Sequence, residues 1–345
     1  MISFASDYLE GCLPEVLQRL IETNAEQSVG YGEDEYCRSA RDAIRRHLDC
    51  EADIHFAVGG TMANAMVIRH VLLPHQGVIA PESGHIAVHE TGAIEAGGHK
   101  VLTCPAANGK ITAAQVEAVV QAHRSDFARE HTVQPAMVYV SQPTECGTLY
   151  TKEELGALHA VCEQHGLTFY IDGARLAYAL ASGSDLLLSD YPRVCHVLSL
   201  GGTKCGLLMG EAICFFRKTL AGDFRYVMKQ SGGMLAKGRL LGLQFLALFE
   251  NDLYVRAAGK AIGCADRLRR AFSAAGFDFA FSTGANQLFP VLPPAAAKQL
   301  KTQFDFEPWQ TLPDGRVVWR FCTSWATTES QVAALEDALL TIADT

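Results

Sequence analysis

Seven short apolar runs punctuate the first two-thirds of the chain: DIHFAV from Asp53, GVIA from Gly77, KVLTC from Lys100, AMVYVS from Ala136, LTFYID from Leu167, VCHVLSL from Val194 and AICFF from Ala212. Each is too short for a helix of ordinary length and, in most cases, rich in β-branched or aromatic side chains, so each predicts a buried strand. Between most of them lie amphipathic stretches of helical period, such as TAAQVEAVVQAH (112–123) and TKEELGALHAVCEQHG (151–166). The second opens on Thr151 with Glu154 three positions on, a capping-box signal, and closes on Gly166, a helix stop. Alternation of strand and helix predicts an α/β domain whose mainly parallel, seven-stranded sheet is covered on both faces.

After about residue 217 the pattern changes. Two long helical segments follow, roughly 224–250 and 252–275, then NQLFPVLP, AAAKQLKTQ and a hairpin around Asp314-Gly315 leading into RVVWRFCTSW. The chain ends on the amphipathic helix TTESQVAALEDALLTIAD. This part reads as a small α+β domain over 246–345, leaving 1–245, N-terminal segment included, to the large domain. At 345 residues and 49% hydrophobic, the chain can bury two such cores.

Composition narrows the function. A net charge of −9 with no basic stretch beyond RDAIRRHLD, which fits a solvated helix face, argues against nucleic-acid binding. No apolar run reaches the roughly 18 residues that span a bilayer, so no membrane partner is expected. The N-terminus MISFASDYLEG has neither the basic nor the apolar region of a signal peptide. Eleven scattered cysteines without a CxxC pair favour reduced thiols in a cytoplasmic protein.

Three features could carry chemistry. The strand DIHFAV runs into Gly59-Gly60-Thr61 and then a helix, a geometry that binds phosphate on free backbone N–H groups but that also suits any tight βα turn. Asp172 ends an apolar strand, where open α/β sheets place ligands; with Arg175 three residues on, it is either a functional carboxylate or a helix cap beside a surface arginine. Lys204 follows another strand end, 32 residues later, in the nearly uncharged SLGGTKCGLLMGEA. A desolvated lysine becomes an amine nucleophile, although one in a loop can also snorkel to water. Together they supply what pyridoxal 5′-phosphate needs: a lysine for its aldehyde, an acid for its ring nitrogen and a helix N-terminus for its phosphate. His85 and His89 in ESGHIAVHE offer a stacking partner for the ring; with Glu90 they could instead form a helical metal pair, for which no third ligand is evident. A nicotinamide site is disfavoured, because GxGxxG is absent.

The stretches FASDYLEG, SVGYGEDEYC, GGTMANA, ESGHIAVHE, SQPTECGTLY, YIDGARLAYA, GGTKCGLLMGEA and WRFCTSWATT closely resemble the low-specificity L-threonine aldolases, within the β-eliminating lyase group of fold-type-I pyridoxal-phosphate enzymes. The resemblance implies aldol cleavage of L-threonine, L-allo-threonine and related β-hydroxy-α-amino acids to glycine and an aldehyde, through an external aldimine that displaces Lys204. It implies Lys204 as Schiff-base lysine, Asp172 as partner of the pyridine nitrogen, His85 as the stacking ring and Gly59, Gly60 and Thr61 as the phosphate loop, with Thr203 assisting by hydrogen bonding. Ser6, Arg175 and Arg320 match the clamp on the substrate carboxylate, a planar anion that suits arginine forks. Tyr31 matches a residue donated across a dimer interface within a homotetramer. The general base stays open among His85, His89, His131 and a water. Another lyase or an aminotransferase of the same fold type is the alternative. Two departures stand out. Thr203-Lys204-Cys205 replaces the commoner Ser-Lys-Gly, and in SGGMLAKGR Leu235 occupies the place of a phosphate-binding arginine, leaving Lys237 or Arg239 to substitute.

Overall fold

The computed structural model describes residues 1–343. Strand β1 (Ile2–Ser3) lies apart from the main sheet. The seven apolar runs all become strands: β2 (Asp53–Ala57), β3 (Gln76–Pro81), β4 (Val101–Cys104), β5 (Gln134–Ser141), β6 (Thr168–Gly173), β7 (Val197–Gly201) and β8 (Glu211–Phe215). They form one sheet in the order β2-β8-β7-β6-β5-β3-β4. Only β8 runs against its neighbours; the pairs among β3 to β7 are parallel.

Strand periodicity divides the core in two. Val138, Val140, Phe169 and Ile171 face one apolar layer, while Met137, Tyr139 and Tyr170 face the other. Both faces are covered, which is why these strands read as continuous apolar runs rather than as alternation. Both helices singled out by their periodicity form and carry capping boxes, Thr112–Gln115 and Thr151–Glu154. The segment 224–250 differs from expectation. It forms two helices, Phe224–Gln230 and Arg239–Phe249, and between them Gly232 takes a left-handed φ of 75° that ends the first. The next helix, Leu253–Ala274, is continuous as expected.

Toward the C-terminus come β9 (Gln287–Leu288), β10 (Val291–Leu292), β11 (Phe304–Asp305), β12 (Glu307–Thr311) and β13 (Val317–Cys322). β13 pairs antiparallel with β9, β10 and β12, and the β12–β13 hairpin turns at Asp314-Gly315, with Gly315 at φ 85°. β1 pairs in parallel with β11, and Phe4 joins a core with Phe304 and Phe321. This pairing carries residues 5–8 toward the carboxyl ends of the main sheet. Among the described residues, no helix is long and apolar enough to cross a membrane. All eleven cysteines are free thiols.

Candidate active site

The carboxyl ends of β2, β3, β5, β6 and β7 open onto two adjoining cavities of about 640 and 260 Å³. The smaller is lined by Gly59, Gly60, Thr61, Asp172, Thr203 and Glu211; the larger by His89, Glu307, Trp309 and Arg320. Tyr8, His85, Glu145, Arg175 and Lys204 line both. Residues that are distant in sequence thus meet where an open α/β sheet places its ligand.

Lys204 sits in the single turn Thr203–Cys205 after β7, and its carbonyl accepts from Tyr178 Oη at 2.6 Å. Among the described residues its ammonium has no ion-pair partner. Desolvation, then the charge of Arg175, lowers its pKa against the pull of Asp7, Asp172 and Glu211. The amine is therefore available as a nucleophile at lower pH than an ordinary lysine. Cys205 is buried, and desolvation pushes its thiol pKa up, so it serves packing rather than reactivity.

Asp172 is buried and accepts from four neutral donors: Tyr139 Oη at 2.8 Å, Asn64 Nδ2 at 3.0 Å, the Ala174 N–H at 2.9 Å and Ser199 Oγ at 3.5 Å. The neighbouring Arg175 is not its partner. Arg175 turns away to form a bidentate pair with Asp7, at 2.6 Å from Nε and 3.0 Å from Nη2. Neutral donors orient the Asp172 carboxyl at the wall of the smaller cavity without supplying an ion-pair partner. Asn64 continues the network. Its Nδ2 also donates to Glu90 at 2.7 Å, its Oδ1 accepts from Tyr170 Oη at 2.7 Å, and Glu90 meets His85 Nδ1 at 2.7 Å. Glu145 accepts from the His85 N–H at 2.9 Å and from Ser141 Oγ at 2.6 Å. His85, with Nδ1 held by Glu90, is fixed in orientation at the wall of both cavities. His89 lies 5.5 Å from it, ring to ring; desolvation and the positive groups around it, His85 first, lower its pKa.

Asp7 is fully buried and is also held by Asn286 Nδ2 at 2.9 Å. Desolvation alone would raise its pKa, but Arg175, Lys204 and Asn286 bring it below the ordinary value. Removing one member of such a pair leaves the other charge buried and unpaired. Asp7→Ala should therefore cost about 3–5 kcal/mol of stability, measured by urea denaturation, and Asp7→Ala with Arg175→Met should recover much of that loss. Additive losses would show that the two residues are not coupled.

Not every expected residue reaches the cavities. Ser6 does not line them; its Oγ is buried without a partner. Tyr31 lies elsewhere on the surface, under the ammonium of Lys229 at 4.6 Å from the ring centroid. Lys237 lines a separate groove with Arg239, whose guanidinium is committed to the carbonyls of Thr23 and Glu26. His131 is exposed in the turn Arg129–His131. Thr203 Oγ1 donates to Glu211 at 3.2 Å and accepts from the Gly210 N–H at 3.0 Å.

A second histidine cluster, His159, Glu163 and His196, has metal-like spacing but the wrong tautomer. The Phe169 N–H donates to His196 Nδ1 at 2.8 Å, so the proton sits on Nε2 and points at Glu163, 2.6 Å away. That nitrogen has no free lone pair for a metal.

The cavities fit pyridoxal 5′-phosphate. A Cβ built on Gly59 or Gly60 meets nothing within 4 Å, leaving the N-terminus of helix Gly60–Val71 open to an anion, while Lys204 and Asp172 face the same space. Topology and constellation define a fold-type-I pyridoxal-phosphate enzyme. The fold is shared with an aspartate aminotransferase double mutant from Thermus thermophilus, at a TM-score of 0.74 and 17% identity over 99% of this chain and 91% of that one. The chain belongs to the beta-eliminating lyase family, whose model matches residues 3–292, and within it to the low-specificity L-threonine aldolases, which depend on pyridoxal phosphate. It is 32% identical to the low specificity L-threonine aldolase of Pseudomonas sp. (strain NCIMB 10558) over 96% of this chain and 95% of that protein. It also superposes on a threonine aldolase structure from Leishmania major with a TM-score of 0.97, at 39% identity over 99% of this chain and 100% of that one.

Sequence reading missed Asp7, Tyr8, Asn64, Tyr139 and Glu145 around the cavities, and it named Glu90 only as a possible metal partner of His85 and His89. One signal was legible: Asn64 stands inside a helix, where asparagine is a poor choice unless its amide has partners.

Proposed function

We propose that this protein cleaves L-threonine, L-allo-threonine and related β-hydroxy-α-amino acids to glycine and an aldehyde. The observation that carries the reading is the meeting of Lys204, Asp172, the Gly59–Thr61 helix start and two arginines around one pair of connected cavities. Lys204 would bind the aldehyde of pyridoxal 5′-phosphate, Asp172 its ring nitrogen, Gly59, Gly60 and Thr61 its phosphate, with His85 against its ring. When bound, that group supplies an electron-accepting ring for the pair released from the Cα–Cβ bond.

The protein's own residues do the rest. Arg175 and Arg320, which line the cavities, hold the substrate carboxylate, which selects the Cα bond to be broken. A base beside the β-carbon takes the β-hydroxyl proton; the C–O bond becomes the aldehyde carbonyl as Cα–Cβ breaks, and a proton returns to Cα to give glycine. His89 suits the base: its lowered pKa keeps it neutral where an ordinary histidine begins to charge. Tyr31 and Lys237 lie outside their own chain's cavities, as expected of groups that serve a neighbouring subunit, and we read the protein as a homotetramer with sites at a dimer interface. Its free thiols suit a cytoplasmic setting.

Purified holoenzyme given L-threonine should release glycine and acetaldehyde in equal amounts. Ammonia with an oxo acid would identify an eliminating lyase instead. A need for an amino acceptor would identify an aminotransferase.

A further inference from the structure

Arg320 is already held by a carboxylate belonging to the protein. On the antiparallel ladder of β12 and β13, Glu307 stands directly opposite Arg320, and its carboxylate forms an ion pair with Arg320 Nη2. The guanidinium is otherwise fixed. Nη2 also donates to the Ala5 carbonyl at 3.1 Å, and Cζ lies 5.5 Å from the Trp309 ring centroid. The ladder slips between Pro308 and Gln310, a bulge that places Trp309 against His89 and Phe289, with ring centroids 6.1 and 5.1 Å apart. Arg320 Nε is buried without a hydrogen-bond partner.

Glu307 is held quite differently. Its side chain is 51% exposed, against 13% for Arg320, and it lines the larger cavity beside Lys204. Apart from Arg320, its carboxylate has no hydrogen-bond partner among the described residues. Asp7 on Arg175 offers the contrast: fully buried and fastened by Asn286, it is a permanent counter-ion. The Glu307 carboxylate can leave for water at little cost, and the guanidinium it releases stays in place.

We propose that in the substrate-free enzyme Glu307 occupies the position on Arg320 that the substrate carboxylate takes, so that its displacement sets how tightly the amino acid binds. This rests on the reading of Arg320 as a carboxylate ligand. The competition operates in the free enzyme and ends once substrate is bound, so it weighs on KM and not on kcat.

The test compares Glu307→Gln and Arg320→Gln holoenzymes with wild type. Two quantities are read: KM and kcat for L-threonine, and the dissociation constant of 3-hydroxybutyrate, a carboxylate without an amine, by titration calorimetry. Glutamine keeps the size of Glu307 and removes its charge, so both KM and the dissociation constant should fall by about two- to five-fold, the range of a partly exposed ion pair, with kcat held. Values that rise or do not move in Glu307→Gln, while Arg320→Gln weakens both ligands, overturn the proposal alone. If Arg320→Gln leaves both ligands unaffected, the carboxylate role of Arg320 falls, and the proposal with it.

Discussion

Lys204→Ala should abolish the absorbance band of lysine-bound cofactor and reduce turnover on the order of 10⁴-fold or more, the scale expected when a covalent nucleophile is lost. The argument begins with what surrounds the amine. Lys204 has no ion-pair partner among the described residues, and desolvation and Arg175 favour its neutral form. A protein gains nothing in stability from such a lysine, so alanine should leave the apoprotein at least as resistant to urea as wild type. A variant that folds well, binds no chromophore and turns over nothing would separate chemistry from folding. Borohydride treatment of wild-type holoenzyme should add the cofactor mass to the peptide carrying Lys204. Full activity in Lys204→Ala, or mass added to another lysine, would sink the assignment.

The residues most legible in sequence are those that stand at strand ends. Asp172 and Lys204 each close an apolar run, and the strand-to-helix turn at Gly59–Thr61 is a local feature, so the sheet topology brings together what the chain spells out separately. The seven strands are legible for the same reason: burial on both faces leaves uninterrupted apolar letters. What cannot be read is partnership across the chain. Arg175, three residues after Asp172, invites that pairing, yet its partner is Asp7, 168 positions away, delivered by the pairing of β1 with β11. The link from Asp172 through Asn64 and Glu90 to His85 joins a strand end, a helix interior and a third segment of the chain, and no spacing rule foretells it. The break between Phe224–Gln230 and Arg239–Phe249 was signalled by Gly232-Gly233, but helical periodicity on either side outweighed it. Tyr31 and Lys237 mark a different limit, because both line grooves away from the cavities that hold Lys204 and Asp172.

Asp172→Asn should weaken cofactor binding and lower turnover by about 10³-fold, corresponding to roughly 4 kcal/mol for a buried charge that loses its role. The isosteric change is more damaging here than its size suggests. Both carboxylate oxygens of Asp172 accept: Oδ2 from Tyr139 and Asn64, Oδ1 from Ala174 and Ser199. An asparagine amide offers one acceptor and one donor group. Turned one way, its NH2 faces the Asn64 amide, whose orientation is set by Tyr170 and Glu90. Turned the other way, it faces the Ala174 N–H. Hydroxyls can rotate to accept, but these two N–H donors cannot, so either rotamer leaves a buried donor unsatisfied while also removing the charge. Asp172→Glu keeps the charge and displaces it by one methylene, so its loss should fall between those of wild type and Asp172→Asn. Equilibrium titration of each apoprotein with pyridoxal phosphate measures the ring-nitrogen interaction apart from turnover. Cofactor affinity and turnover of Asp172→Asn equal to wild type would mean that the ring nitrogen is not held by this carboxylate.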